Sequence, residues 1–241
     1  MNYNGKYRYY KVTMDILNFS GMYEGYELSC FKGACFIDLR DVRGTKLYVD
    51  SEGEKAVRER IRELGSRGKV HLIDIGDYHY VTRFYLYEIR EAFDLLVFDN
   101  HNDSKEPEFG GLRSCGSWIR DALEDMPDTL MSVKLIRGIR DISFLKGSFD
   151  NERPLYISVD KDILSGDTCP TNWDQGDMGL DELILILRSE AEGRELLGID
   201  ICGGIPGNAG ASDREIRLNQ SVDISILDAL CYNHRVCLET E

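Results

Sequence analysis

Three short apolar runs in this chain each stop at residues able to grip a cation, and that recurrence constrains the fold more than any other feature. The first run, carrying Ile73 and Ile75, ends in Gly76-Asp77-Tyr78-His79. The second, Leu95-Leu96-Val97-Phe98, ends in Asp99-Asn100-His101-Asn102-Asp103, and the third, Leu155-Tyr156-Ile157-Ser158-Val159, ends in Asp160-Lys161-Asp162. Uninterrupted apolar runs of this length read as buried strands. Helix-patterned segments alternate with them. Ser51-Glu52-Gly53-Glu54 has the spacing of a capping box and opens a charged helix to Leu64. Gly65-Ser66-Arg67-Gly68 stops it, and Lys69 to Ile75 follows as strand. The pattern predicts further helices near 80–91, over Ser114 to Glu124, over Asp181 to Ala191 and from Ser212 to about Tyr232. It predicts further strands over Met131 to Ile136 and Leu196 to Ile201. Such alternation implies an α/β fold, a mainly parallel sheet joined by right-handed crossovers and covered by helices on both faces. In such folds ligands lie at the carboxyl ends of the strands, where all three donor segments stand.

On an extended segment alternate side chains point the same way, so Asp99, His101 and Asp103 offer two carboxylates and an imidazole to one point. Taken singly, His79 reads first as a hydrogen-bonded structural residue, and Asp160 and Asp162 as caps of the next helix. Together they give two imidazoles and four carboxylates. Two carboxylates about 4 Å apart repel by roughly 4 kcal/mol at an effective dielectric near 20. Such a cluster must hold protons or bind cations, and two divalent ions cancel four negative charges. A donor set mostly of carboxylates with some imidazole favours Mn²⁺ over a structural zinc, which prefers thiolates.

Composition narrows the partners. A net charge of −14 argues against nucleic acid and suits a cationic small molecule or peptide. The longest wholly aliphatic run, Leu183 to Leu187, is too short to span a bilayer, and Met1 to Lys6 leads into no apolar signal core. A cytoplasmic protein without membrane contact is the expectation. The seven cysteines include no CxxC pair, with Cys30 and Cys35 the closest, and read as reduced, mostly buried thiols. A chain of 241 residues reads as one domain, 1–241, with the metal-site core at about 70–235.

The three donor segments resemble the ureohydrolase superfamily of arginase, agmatinase and formiminoglutamase. That pattern is a His after a Gly-rich strand end, then D-x-H-x-D, then D-x-D. Gly138-Ile139-Arg140-Asp141 and Gly198-Ile199-Asp200-Ile201 are similar to two further strand ends of the family. The resemblance covers about residues 70–235 and leaves the first 65 with a weak counterpart. It implies an arginase-like three-layer α/β/α fold, often oligomeric, with two Mn²⁺ ions bridged by hydroxide. By analogy His79 binds one ion and His101 the other, Asp99 and Asp160 bridge, and Asp103 and Asp162 complete the shells. Asp103 then becomes the catalytic carboxylate that orients the nucleophile and passes a proton to the leaving amine.

The departures bear on the substrate. Gly203 stands where guanidinium hydrolases carry a Glu, and Ser143 where they carry an amino-acid-binding Asp. The family's shuttle His is replaced within Gly111 to Trp118. Candidate substitutes are Asp174 or Asp177 for a cation, Trp173 as an aromatic wall, and Ser114 and Cys115 at the following helix. Plainer readings are a polar loop, a packing thiol, and a capping box at Ser212-Asp213-Arg214-Glu215. The resulting expectation is a two-metal hydrolase of a non-peptide C–N bond, acting on a guanidino group of a small, peptidyl or unusual cationic substrate. An amide deacylase of the acetylpolyamine type and a catalytically degenerate metal-binding protein stay open as alternatives.

Overall fold

The computed structural model describes residues 13–31, 33–107 and 112–231. Tyr232, the expected end of the last helix, and Gly111, in the segment where a shuttle His was sought, lie outside them. Among the described residues ten strands and five α-helices follow one another. First come β1 (Met14–Asn18), β2 (Cys35–Asp38), β3 (Tyr48–Val49), α1 (Ser51–Leu64), β4 (Val70–Ile73), α2 (Thr82–Leu86) and β5 (Phe93–Phe98). Then come β6 (Arg113–Ser114), α3 (Trp118–Asp125), β7 (Leu130–Gly138), β8 (Asp141–Lys146) and β9 (Leu155–Asp160). Last are α4 (Leu180–Ala191), β10 (Leu196–Cys202) and α5 (Asp213–Cys231).

Eight strands form one sheet in the order β2-β1-β4-β10-β9-β5-β7-β8. Every neighbouring pair is parallel except the β7–β8 hairpin. Every residue of β4, β5 and β9 is buried, as a parallel sheet sheltered on both faces requires. Helices pack on it in the three-layer α/β/α arrangement, α4 against α5 and α2 against α3. The arginase-like α/β fold expected from the chain is therefore present. The described part of the poorly matched first 65 residues is built into it: β1 pairs with β4, Ile16 opposite Leu72, and β2 pairs with β1.

Three local expectations shift. The cap of α1 is Asp50, whose side chain accepts from Gly53 N at 2.7 Å, so Ser51 is already helical. The segment near 80–91 divides into a 3-10 turn, Gly76–Val81, and the short α2. Helix α3 starts at Trp118 rather than Ser114, because Arg113 and Ser114 leave to pair antiparallel with β3. The capping box before α5 is present as read: Ser212 N donates to Glu215 Oε2 at 2.8 Å, and Glu215 N donates back to Ser212 Oγ at 3.3 Å.

Strands β4, β10, β9 and β5 are consecutive in the middle of the sheet, and the donor segments leave from three of their carboxyl ends.

Candidate metal centre

Each donor is held by a device local to its strand end. His79 lies on the 3-10 turn after β4, fully buried, with Nε2 2.8 Å from Ser158 Oγ. A proton on Nε2 donated to that hydroxyl leaves the Nδ1 lone pair aimed at the cluster. Asp99 follows β5, and its Oδ1 accepts from His101 N at 2.6 Å. Asp103 is anchored by Trp118, whose buried indole N–H donates to Asp103 Oδ2 at 2.9 Å. Asp160 ends β9, and its Oδ1 accepts from Asp162 N at 3.0 Å. The capping role read for Asp160 is thus real, and the other oxygen, which accepts from Cys202 Sγ at 3.3 Å, faces the cluster. Asp162 Oδ1 accepts from Asn100 N at 3.0 Å, while Oδ2 lies 2.8 Å from His101 Nδ1.

The structure brings all six residues together. His79 Nδ1 is 3.2 Å from Asp99 Oδ2, 3.3 Å from Asp103 Oδ2 and 3.6 Å from Asp160 Oδ2. His101 Nδ1 is 3.6 Å from Asp99 Oδ1. Two donor groups result, an inner one of His79, Asp99 and Asp103 and an outer one of Asp99, His101 and Asp162, with Asp99 common to both.

A direct observation tests whether a cation fits. Both His79 Nδ1 and Asp99 Oδ2 are buried without a hydrogen-bond partner. An orphaned buried polar atom costs on the order of 1–3 kcal/mol, and here two of them face each other. A small divalent ion bonded at about 2.1 Å holds adjacent donors roughly 3.0–3.4 Å apart, close to the 3.2–3.6 Å spacing around His79 Nδ1. The donor set fits such an ion.

Electrostatics agree. Burial followed by the nearby charge of Asp99 pushes the Asp103 carboxyl up to about 7. Burial and Asp160 push Asp162 up to about 8. The hydrogen bond to Asp162 raises His101 to about 10. Burial would raise Asp99 too, but the adjacent imidazoles of His101 and His79 and the backbone N–H of His101 hold it down at about 2. Without a cation, protons supply part of the charge compensation.

Beside the cluster lies a cavity of about 210 Å³. Trp173, Ser114 and Cys115 line it, as the sequence suggested. Asp174 and Asp177 do not: both are exposed, and Asp174 contributes only its carbonyl, which accepts from Asn100 Nδ2 at 2.9 Å. Trp173 is a braced wall. Its indole N–H donates to the buried Asp77 at 2.8 Å, and its ring meets His101 edge to face at 5.5 Å. Burial pushes the Cys115 thiol up to about 12, so it stays protonated rather than relaying protons as a thiolate.

Several contributors escaped the sequence reading. Leu47 and Tyr48 wall the cavity through the β3–β6 pairing, and Cys115 N donates to Leu47 O at 2.9 Å. Lys105 and Glu106, just beyond the D-x-H-x-D segment, stand at its edge; their adjacency was the available signal. Strand β10 brings Cys202 against Asp160 and His79, a third group with metal-ligand spacing. Gly203 carries structural meaning as well. Its φ is +94°, and a Cβ there would lie 2.6 Å from Asp160 Oδ1, so no side chain fits at that position.

No family model matches the chain. An uncharacterized protein of Thermotoga maritima is 32% identical over 230 residues, spanning 90% of this chain and 89% of that one. Among solved structures, proclavaminate amidino hydrolase from Streptomyces clavuligerus superposes with a TM-score of 0.60 at 11% identity, covering 93% of this chain and 94% of that one. Trypanosoma cruzi formiminoglutamase with Mn²⁺ superposes at 0.61 and 10% identity, covering 94% and 96%. At such identities the likeness concerns the fold.

Proposed function

We propose that this chain, which belongs to one family with the Thermotoga maritima protein and has the fold of the ureohydrolase superfamily, is a two-metal hydrolase of a non-peptide C–N bond in a cationic, guanidino- or amidino-bearing substrate. The observation that carries the reading is the buried, partnerless pair of His79 Nδ1 and Asp99 Oδ2 inside a cluster of four carboxylates. His79, Asp99, Asp103 and Asp160 would hold an inner ion, and Asp99, His101, Asp160 and Asp162 an outer one. The oxygen-rich set suits Mn²⁺, which the T. cruzi structure contains. Two such ions would supply Lewis acidity and lower the pKa of a bound water.

The chain's own groups do the rest. Asp103, fixed by Trp118 and facing the cavity, holds a proton taken from the attacking water and releases it to the departing nitrogen. Trp173 and Tyr48 wall a narrow space that excludes bulk water and orients a planar cation against the cluster. Among the described residues no helix is long and apolar enough to cross a membrane, and the five described cysteines are unpaired.

Incubation of Mn²⁺-loaded protein with arginine, agmatine, formimino compounds and arginine-containing peptides tests the reading. We expect urea, or the corresponding amide, together with the free amine from at least one of them. Absence of such products from all of them rejects it. A deacylase is the second reading, favoured by Gly203: its backbone leaves no room for a guanidinium-binding Glu. Acetate release from acetylated polyamines without urea would select it.

A further inference from the structure

Strand β10 lies between β4 and β9, and its last residue, Cys202, pairs in register with both Ile73 and Asp160. Paired residues on neighbouring parallel strands turn their side chains to the same face, so the thiol is delivered to Asp160 by the sheet itself. Cys202 Sγ donates to Asp160 Oδ2 at 3.3 Å, the oxygen that also faces His79 Nδ1. The donor atoms of His79, Asp160 and Cys202 lie within 4.8 Å of one another, and all three residues are buried. An independent observation points to a ligand at this spot: His79 Nδ1, on a side chain 1% exposed, is aimed into the group and has no hydrogen-bond partner.

The two halves of the centre therefore differ in kind. The outer half, Asp99, His101 and Asp162, offers only oxygen and imidazole nitrogen. The inner half adds a sulfur within reach of the same carboxylate oxygen. We infer that Cys202 is a sulfur ligand of the inner position, which makes that position select a softer divalent cation such as Zn²⁺ or Co²⁺ while the outer position keeps a hard-ion preference. The inference rests on the two-metal reading above and adds to it an asymmetry of metal identity. Thiolate donors favour Zn²⁺ over Mn²⁺, whereas carboxylates discriminate much less. On binding, the thiol loses its proton to solvent and the sulfur–metal bond takes its place, so charge and atoms balance.

The experiment is Co²⁺ titration of the full chain followed by near-ultraviolet and visible absorption, elemental analysis, and Zn²⁺ and Mn²⁺ competition. It is run on wild type, Cys202→Ser, Cys202→Ala and the cavity control Cys115→Ala. Serine replaces the thiol donor to Asp160 with a hydroxyl, so one substituted protein keeps a local hydrogen-bond donor, and circular dichroism checks that each is folded. We expect two ions per chain and a sulfur-to-cobalt charge-transfer band in wild type and Cys115→Ala. Both Cys202 variants should lose the band, and their Zn²⁺ affinity at one position should fall by about tenfold or more. Two ions without the band, or a band that survives removal of Cys202, overturns the sulfur ligand and leaves the two-metal reading standing. One ion per chain with a Cys202-dependent band supports the ligand and overturns the pair. A wild type that binds no ion overturns both.

Discussion

Gly203 shows how much a single residue decides in this centre. It stands where the sequence resemblance places a substrate-binding Glu of guanidinium hydrolases, and a φ of +94° and the closeness of Asp160 make it a packing requirement. Gly203→Glu should therefore fail to create an arginine-binding site. It should cost on the order of 1–3 kcal/mol in denaturant melts and reduce metal content by displacing Asp160. A stable variant with full metal content would contradict this account. Trp118 acts on the opposite flank: Trp118→Phe keeps the buried ring but removes the donor to Asp103, and should destabilise the metal-free protein by about 1–3 kcal/mol, read from urea melts. The six oxygen and nitrogen donors were legible because each follows an apolar strand at its carboxyl end, although Asp99, His101 and Asp103 lie on a bend beyond β5, held by His101 N donating to Asp99 Oδ1, rather than on the extended segment expected. Cys202 was not, since its nearness to Asp160 depends on β10 inserting between β4 and β9, and sequence order does not carry strand order. Asp174 and Asp177 misled for a related reason: composition suggests a loop's charge, but its backbone decides where each side chain points.

At the scale of elements, the donor loops are tied to the helical layer by buried charge. Lys161, between two of the donors, is 1% exposed and pairs with Asp223 of α5 at 2.7 Å, and Asp223 also accepts from Tyr26 Oη at 2.8 Å. Removing one member strands the other. Lys161→Ala should cost about 3–5 kcal/mol in urea melts, and the double variant Lys161→Met with Asp223→Leu should recover much of that loss. Equal stability of the single variant and wild type would show that the pair does not anchor the loop. The long buried strands β5 and β9 were readable because their burial on both faces leaves an unbroken apolar run. Pairing of β3 with β6 was not: two residues per strand carry no periodicity, and Tyr48 and Ser114 are far apart in the chain. The same limit hid the role of the first 65 residues, whose β1 is paired on both sides within the sheet, next to its β2 edge, and whose Leu47 and Tyr48 wall the cavity.

For the whole molecule, the central claim is that a chain with a net charge of −14 gathers four carboxylates at one sheet end because cations complete that end. Metal then stabilises the native state by mass action. At about 100 times the dissociation constant each ion adds about 2.7 kcal/mol, so saturating Mn²⁺ should raise the melting temperature on the order of 10 °C, and a chelator should reverse the shift. An unchanged melting temperature across Mn²⁺ and chelator would count against an ordered centre. The most direct measurement is elemental analysis of purified, dialysed protein alongside its Asp99→Ala variant, since Asp99 belongs to both donor groups. The account predicts two divalent ions per wild-type chain and none retained by the variant. Well under one ion per wild-type chain, or equal metal content in the two proteins, would contradict it.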